Sequence, residues 1–255
     1  MKRIESRDNP FYKQLRKLAG SARERRKAGR TLLDGVHLVS AWEQAVGPVE
    51  TLVVSATALA GGEVGHFVAG RETVVIPDAL MRDLELVESP SGLVAIVAMP
   101  PPAAVDPEMD AILLDGVQDP GNVGTLLRTA AAAGIGQALL GPGCAAAWSP
   151  KVLRAGQGAH FVINVVEEAD LAGFVAGYRG TVAATCLDDA SSLYAADLTK
   201  SLAWIFGSEG QGVRPELLVA ATLRLRIPMP GAVESLNVGA AAAACLFEMV
   251  RQRGG

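Results

Sequence analysis

From about residue 109 onward, short apolar runs alternate with helical stretches, and this alternation limits the fold more than any other feature of the chain. Residues 112–114, 138–140, 161–166, 182–185, 203–206 and 223–227 read as strands. Ile112-Leu113-Leu114 carries no polar residue at alternate positions, as expected of a strand covered on both faces. Helices are expected over 123–133, closed by Gly134, over 150–154 after Ser149-Pro150, and over an Ala-rich stretch at 237–251. Strand–helix alternation of this kind builds a parallel sheet with helices on both faces.

Upstream lies a smaller α/β domain, expected over 31–99, with strands at 31–33, 52–54, 74–76 and 93–99 and helices at 36–46 and from Asp78 to Leu84. Pro100-Pro101-Pro102 and Pro107 form a stiff joint over 100–108, so the second domain is expected over 109–255. Residues 1–30 read as a separate helical arm. Asn9-Pro10 caps a first helix bearing Phe11, Leu15 and Leu18, and Ser21 caps a second that ends at Gly29.

Charge singles out that arm. It holds 11 Lys and Arg against Glu5, Asp8 and Glu24, whereas the remaining residues hold 12 basic against 24 acidic side chains, so the overall net charge of −4 conceals a basic end on an acidic body. The second helix carries Arg23, Arg25, Arg26 and Lys27 with no apolar stripe, so all four are expected to be exposed and ready for phosphates of a polyanionic partner. Cys144, Cys186 and Cys245 are odd in number and widely spaced, as are the three histidines, which excludes a disulfide framework or zinc site and suits a reduced cytoplasmic protein. No apolar run approaches the ~20 residues of a membrane span.

Three loops carry the chemistry, each directly after an apolar strand, where an open α/β sheet places its ligands. The first is Asp115-Gly116-Val117-Gln118-Asp119-Pro120-Gly121-Asn122-Val123-Gly124, with Arg128 on the helix that follows. Phe206-Gly207-Ser208-Glu209-Gly210-Gln211-Gly212 is the second. The third runs from Ile227 through Pro228, Met229, Pro230, Gly231, Glu234, Ser235 and Leu236 to Asn237, Val238 and Gly239. Neither G-x-G-x-x-G nor G-x-x-x-x-G-K-[ST] occurs, which disfavours a nicotinamide Rossmann site or a P-loop.

The strings D-P-G-N-V-G-x-x-x-R, F-G-S-E-G-x-G and I-P-M-x-G-x-x-E-S-L-N-V, in this order, resemble the three motifs of the SpoU (TrmH) family of RNA ribose 2′-O-methyltransferases. Lys151-Val152-Leu153-Arg154-Ala155 and Asp197-Leu198 also fit, and the surroundings of Leu33-Asp34-Gly35-Val36 resemble the family's ribosomal-protein-like substrate-binding domain. Gly239 departs from the pattern, standing where the family usually has Ser. The resemblance implies a C-terminal domain threaded into a trefoil knot, S-adenosylmethionine as cofactor, RNA as substrate, a homodimer with its active site at the dimer interface, and no metal. Ribosomal RNA, 23S in particular, leads over transfer RNA because of the added N-terminal domain. The rival class is a non-catalytic RNA-binding protein on the same fold.

By the same resemblance, Gly207, Ile227, Met229, Leu236 and Asn237 would contact the cofactor. Asn122, Glu209, Ser235 and Asn237 would shape the site, with Arg128 as the principal catalytic side chain. Two roles are open for Arg128. The family suggests a general base, but deprotonating an arginine at pH 7 costs about 7.5 kcal/mol. A charged guanidinium that clamps a phosphate and polarises the 2′-oxygen is the less costly alternative.

Overall fold

The apolar runs beyond residue 109 line up, in the computed structural model of the chain, as one seven-stranded parallel sheet. The structure describes every residue except Asp188 and Gly255. It divides into two compact units: Met1–Pro101 with Trp148–Phe161, and Pro102–Ala147 with Val162–Gly255.

The first unit holds β1 (Lys2–Arg3), β2 (Arg30–Asp34), β3 (Thr51–Ser55), β4 (Thr73–Ile76) and β5 (Leu93–Ala98), in the order β1-β4-β3-β5-β2. β1 and β3 run parallel to β4, and β5 runs antiparallel to β3 and β2. Its helices are α1 (Pro10–Gly20), α2 (Ala22–Ala28), α3 (Val36–Ala45), α4 (Ala56–Leu59), α5 (Gly62–Val68) and α6 (Asp78–Arg82). Caps explain the starts of α1 and α2: the Asn9 side chain accepts from the Phe11 amide and Ser21 from that of Glu24. Gly29, in the left-handed region at φ 62°, ends α2. Asp78 does not cap α6. Pro77 holds the cap position instead, and the Asp78 carboxylate accepts from the amide and hydroxyl of Thr57. The short helices α4 and α5 have no counterpart in the sequence reading.

Residues 1–30 are not a detached arm. Ile4, Tyr12, Leu15 and Leu18 are buried in one cluster with Leu32, Val53, Ile76 and Val94. The i, i+3 apolar stripe of α1 is therefore a core-facing stripe. The Tyr12 hydroxyl sits 2.8 Å from both the Leu80 carbonyl and the Asp83 carboxylate, fastening α1 to the end of α6.

The first unit also takes in α8 (Pro150–Gly156) and the 3-10 turn Ala159–Phe161. This corrects the expectation of a continuous second domain from residue 109, and of a strand beginning at 161. Local pattern identifies a helix but not the core it packs on. Here the contacts decide: the Thr31 hydroxyl donates to the Trp148 carbonyl, and Arg154 pairs at 2.9 Å with buried Asp34, which also accepts from Ser91. Trp42 meets Phe161 edge to face.

The second unit contains β6 (Ala111–Asp115), α7 (Pro120–Ala132), β7 (Gln137–Leu140), β8 (Asn164–Val166), α9 (Leu171–Gly177), β9 (Thr181–Thr185), β10 (Ser191–Ser192), β11 (Leu202–Gly207), α10 (Pro215–Ala220), β12 (Leu223–Arg226) and α11 (Val238–Gln252). The strand order is β10-β12-β9-β11-β6-β7-β8, parallel throughout. The chain steps outward from β6 through β7 to β8, then crosses to the other side and later inserts β11 beside β6. The order of strands therefore reverses at the β6–β11 neighbours, which places a crevice at their carboxyl ends. One face buries Leu113, Ala203 and Ile205 with Leu171, Val175 and Leu217, and α7 packs against α11.

Candidate active site

Two of the three loops leave adjacent strands at the same end, since the last residues of β6 and β11, Asp115 and Gly207, are ladder partners. In the first loop Asp119 is the helix cap, its carboxylate accepting from the Asn122 amide at 2.8 Å, and Pro120 occupies the first turn. The helix thus starts before Val123, where sequence placed it. This leaves the Asn122 side chain available for other partners. Its amide donates to Glu209 Oε1 at 2.5 Å, and its oxygen accepts from Asn237 Nδ2 at 2.9 Å. Asn237 is the cap of α11, its own oxygen accepting from the Gly239 and Ala240 amides. One hydrogen-bonded chain, Glu209–Asn122–Asn237, therefore joins all three loops. It presents a carboxylate and two amides at the sheet's carboxyl end.

Glycine is required at one position here, and a second glycine stands in a tight place. A Cβ at Gly207 would lie 2.0 Å from the Gly212 carbonyl carbon, 2.2 Å from its oxygen and 2.2 Å from the Val213 nitrogen, all backbone atoms. The second loop folds back that closely because Ser208 and Gly212 exchange two backbone hydrogen bonds, with Gly212 at φ +67°. At Gly239 a Cβ would lie 2.9 Å from Thr125 Cγ2 and 3.1 Å from Asn237 Oδ1. Both neighbours are side-chain atoms, so a side chain at this position would require Thr125 of α7 to give by a few tenths of an ångström.

Arg128 lies on α7 three residues beyond Thr125, exposed, with no ion pair or hydrogen bond among the described residues. Ser235 is exposed and is not drawn into the hydrogen-bonded chain. Ile227 and Met229 are half-buried, Leu236 is exposed, and no backbone–backbone hydrogen bond engages residues 228–236 among the described residues. That stretch offers open amides and carbonyls beside apolar side chains. Such a donor set suits a flat heteroaromatic ring with a polar edge, so the residues present fit the adenosyl group of S-adenosylmethionine. Two of the three cysteines do not compete as nucleophiles: burial pushes the Cys144 thiol up and that of Cys245 up to about 12, keeping both protonated. No cluster of potential metal ligands exists among the described residues, and no helix among them is long and apolar enough to cross a membrane.

On α2, Arg23, Arg26 and Lys27 are exposed as expected, but Arg25 is not. It is buried and donates to the Leu18 and Ala19 carbonyls at the end of α1. Those carbonyls are the unsatisfied acceptors of a helix C-terminus, which a buried guanidinium satisfies. The pair overlooked in the sequence is Asp115 with Arg214. The Arg214 amide and Nε donate to the two carboxylate oxygens at 2.8 and 2.7 Å, and Asp115 is only 3% exposed. The available signal was a carboxylate closing an otherwise apolar strand.

Residues 110–247 match the SpoU rRNA Methylase family, and residues 9–95 match the MRM3-like substrate binding domain. The chain is 33% identical over 252 residues to the 23S rRNA (guanosine(2553)-2′-O)-methyltransferase RlmP of Bacillus subtilis (strain 168), covering 98% of this chain and 99% of that protein. It is 38% identical over 147 residues to the 23S rRNA (guanosine-2′-O-)-methyltransferase RlmB of Bordetella pertussis, covering 56% of this chain and 60% of the relative. A crystal structure of an RNA 2′-O ribose methyltransferase superposes with a TM-score of 0.83 at 29% identity, over 98% and 99% of the two chains. The AdoMet-bound rRNA methyltransferase from Sinorhizobium meliloti gives 0.81 at 27% identity, over 98% and 97%. With its three loops joined through Asn122 and its catalytic half matched along its length, the chain belongs to the SpoU rRNA Methylase family.

Proposed function

We propose that this chain transfers a methyl group from S-adenosylmethionine to a ribose 2′-hydroxyl of RNA, with 23S ribosomal RNA in the cytoplasm as substrate. The observation that carries the proposal is the Glu209–Asn122–Asn237 chain, which converts three separate loops into one polar site at the strand-order reversal. The family match and the near full-length likeness to a 23S rRNA 2′-O-methyltransferase support it.

When bound, the cofactor supplies a sulfonium methyl, electrophilic without a metal. The chain's part is alignment and charge. Open backbone groups of residues 228–236, with Ile227, Met229 and Leu236, hold the adenosyl group and exclude water around it. Glu209 and Asn122 fix the loop after β11, while Asn237 fixes the entry of α11. The Arg128 guanidinium, exposed and unengaged by any described residue, would bind the phosphate next to the target ribose and stabilise the negative charge that builds on the 2′-oxygen as its proton passes to solvent water. Positioning accounts for most of the acceleration in such a site, because aligned reactants save up to ~7–11 kcal/mol of barrier. The exposed Arg23, Arg26 and Lys27 add affinity for the RNA backbone.

The active species is a homodimer, with α11 contributing an exposed Phe247 beside Ala240 and Ala244. The C-terminal domain carries the family's trefoil knot. One experiment tests the activity: the full chain with S-adenosylmethionine and unmodified 23S RNA, followed by ribose-methylation mapping. A single protected nucleotide is expected. Its replacement by the 2′-deoxynucleotide should abolish methylation and leave binding intact. Continued methylation of the deoxy substrate at that nucleotide, or methylation of transfer RNA alone, would overturn the assignment.

A further inference from the structure

We propose that Arg214 is a positioning residue for methyl transfer: by clamping buried Asp115 it ties down the second end of the loop that carries Glu209. The inference rests on the methyltransferase reading above and names a residue which that reading does not use.

Asp115 is the joint of two loops. It ends β6 and opens the segment leading to Asn122, and its ladder partner is Gly207, the last residue of β11. The loop carrying Glu209 thus begins at a residue held by Asp115's strand. It ends there too, because the Arg214 amide donates to one Asp115 oxygen at 2.8 Å and Arg214 Nε to the other at 2.7 Å. Between these anchors, the Ser208–Gly212 hydrogen bonds close the turn and buried Val213 seats it in the core. Glu209 consequently has little freedom, and its carboxylate meets the Asn122 amide at 2.5 Å.

Asp115 is 3% exposed at its side chain, so its charge depends on Arg214 for compensation. The outer guanidinium nitrogen pairs with Glu216, which is well exposed. That outer pair holds nothing in the loop and serves as an internal control.

The test uses the full chain and three variants: R214M, R214K and E216Q. Amide hydrogen exchange at Ser208 and Gly212, cofactor-product affinity by calorimetry with S-adenosylhomocysteine, and steady-state methylation of 23S RNA are measured for each. For R214M the two amides should exchange about tenfold faster and turnover should fall at least about tenfold, with the RNA KM within about twofold of the unsubstituted chain. Both variants at 214 keep the backbone donor to Asp115; R214K also keeps the positive charge and should recover turnover in part, while E216Q should match the unsubstituted chain. Loss of fold alone would raise exchange everywhere instead of chiefly at these two amides, and would lower turnover only in proportion to the unfolded fraction, which thermal unfolding of the same sample measures. Should R214M fail to fold, R214Q takes its place, with the same expectations. Turnover of R214M equal to that of the unsubstituted chain overturns the proposal, as does an equal fall in E216Q. If the unsubstituted chain methylates no RNA but R214M still frees the two amides, the clamp stands and the methyltransferase reading is what fails.

Discussion

Replacing Gly207 by alanine probes how tightly the second loop is folded. The added Cβ would stand 2.0 to 2.2 Å from three backbone atoms of Gly212 and Val213, far inside normal contact, and no side chain can rotate away to relieve it. β11 is held between β9 and β6, so the least costly response is for the loop to lift. Lifting breaks the two Ser208–Gly212 hydrogen bonds, at about 1 kcal/mol each. That ~2 kcal/mol is less than overpacking strain of up to ~3 kcal/mol together with distortion of the strand ladder, so the chain folds with the loop open. For a protein of this size the loss lowers Tm by about 4–8 °C. If the open loop does not hold the cofactor, binding must close it against the remaining strain of about 1 kcal/mol, which weakens S-adenosylhomocysteine binding by about fivefold. Thermal unfolding and calorimetry measure both. Gly210→Ala is the matched control, since a Cβ there meets nothing within 4 Å and should change stability by less than about 0.5 kcal/mol. Equal Tm and equal affinity for the two variants would refute the account of a backbone-filled niche at Gly207.

Arg128→Ala should abolish methyl transfer and leave S-adenosylhomocysteine affinity unchanged. Arg128→Lys separates a point charge, which permits partial turnover, from a two-pronged clamp, which does not, and near-normal turnover by the alanine variant would exclude a catalytic role. Arg25→Ala should destabilise the protein by about 1–3 kcal/mol, because the buried Leu18 carbonyl and the half-buried Ala19 carbonyl lose a donor, without altering the salt dependence of RNA binding. Arg23→Ala with Lys27→Ala should do the reverse, reducing the log–log salt slope by about 0.7–0.9 for each phosphate no longer neutralised. Arg251 and Gln252 hold the Glu248 carboxyl down to about 2, below its ordinary 4.5. A depressed acid stabilises the fold above pH 4.5, and that contribution disappears as pH falls towards 2. Glu248→Gln should therefore flatten acid unfolding over that window, and an unchanged acid profile would count against the pair.

The loops are legible because their residue types conflict with their neighbours: three glycines after an apolar strand, or two prolines before a helix, serve no scaffold. What links them is not. Asn122 stands just before the helix expected from Val123, where a side chain can either cap the helix or orient a neighbour. Asp119 takes the capping role three residues earlier, and only then is Asn122 available to Glu209, 87 positions away. The Asp115–Arg214 clamp spans 99 positions and leaves no periodic trace. Arg25 escapes a sequence reading for a related reason. A helix without an apolar stripe looks exposed from its own residues, but the carbonyls that bury Arg25 belong to the preceding helix. Parallel strands show in their apolar runs, whereas the piece 148–161 falls to the wrong core because periodicity carries no address.

That piece has a consequence for how the protein is made and how it can change. The first unit is not complete when the ribosome has finished its own 101 residues; it waits for residues 148–161, synthesised after β6, α7 and β7 of the other unit. Until then the Thr31 hydroxyl lacks the Trp148 carbonyl and the Asp34 carboxylate lacks Arg154. Each half must emerge partly before either can close, so nascent folding of the two is interleaved rather than sequential. The same interleaving restrains recombination. Exchanging the N-terminal half between relatives by a crossover at the proline joint would import a β2 edge matched to a foreign α8, and inheritance of the two halves as separate modules would need compensating changes at Thr31, Asp34 and Arg154.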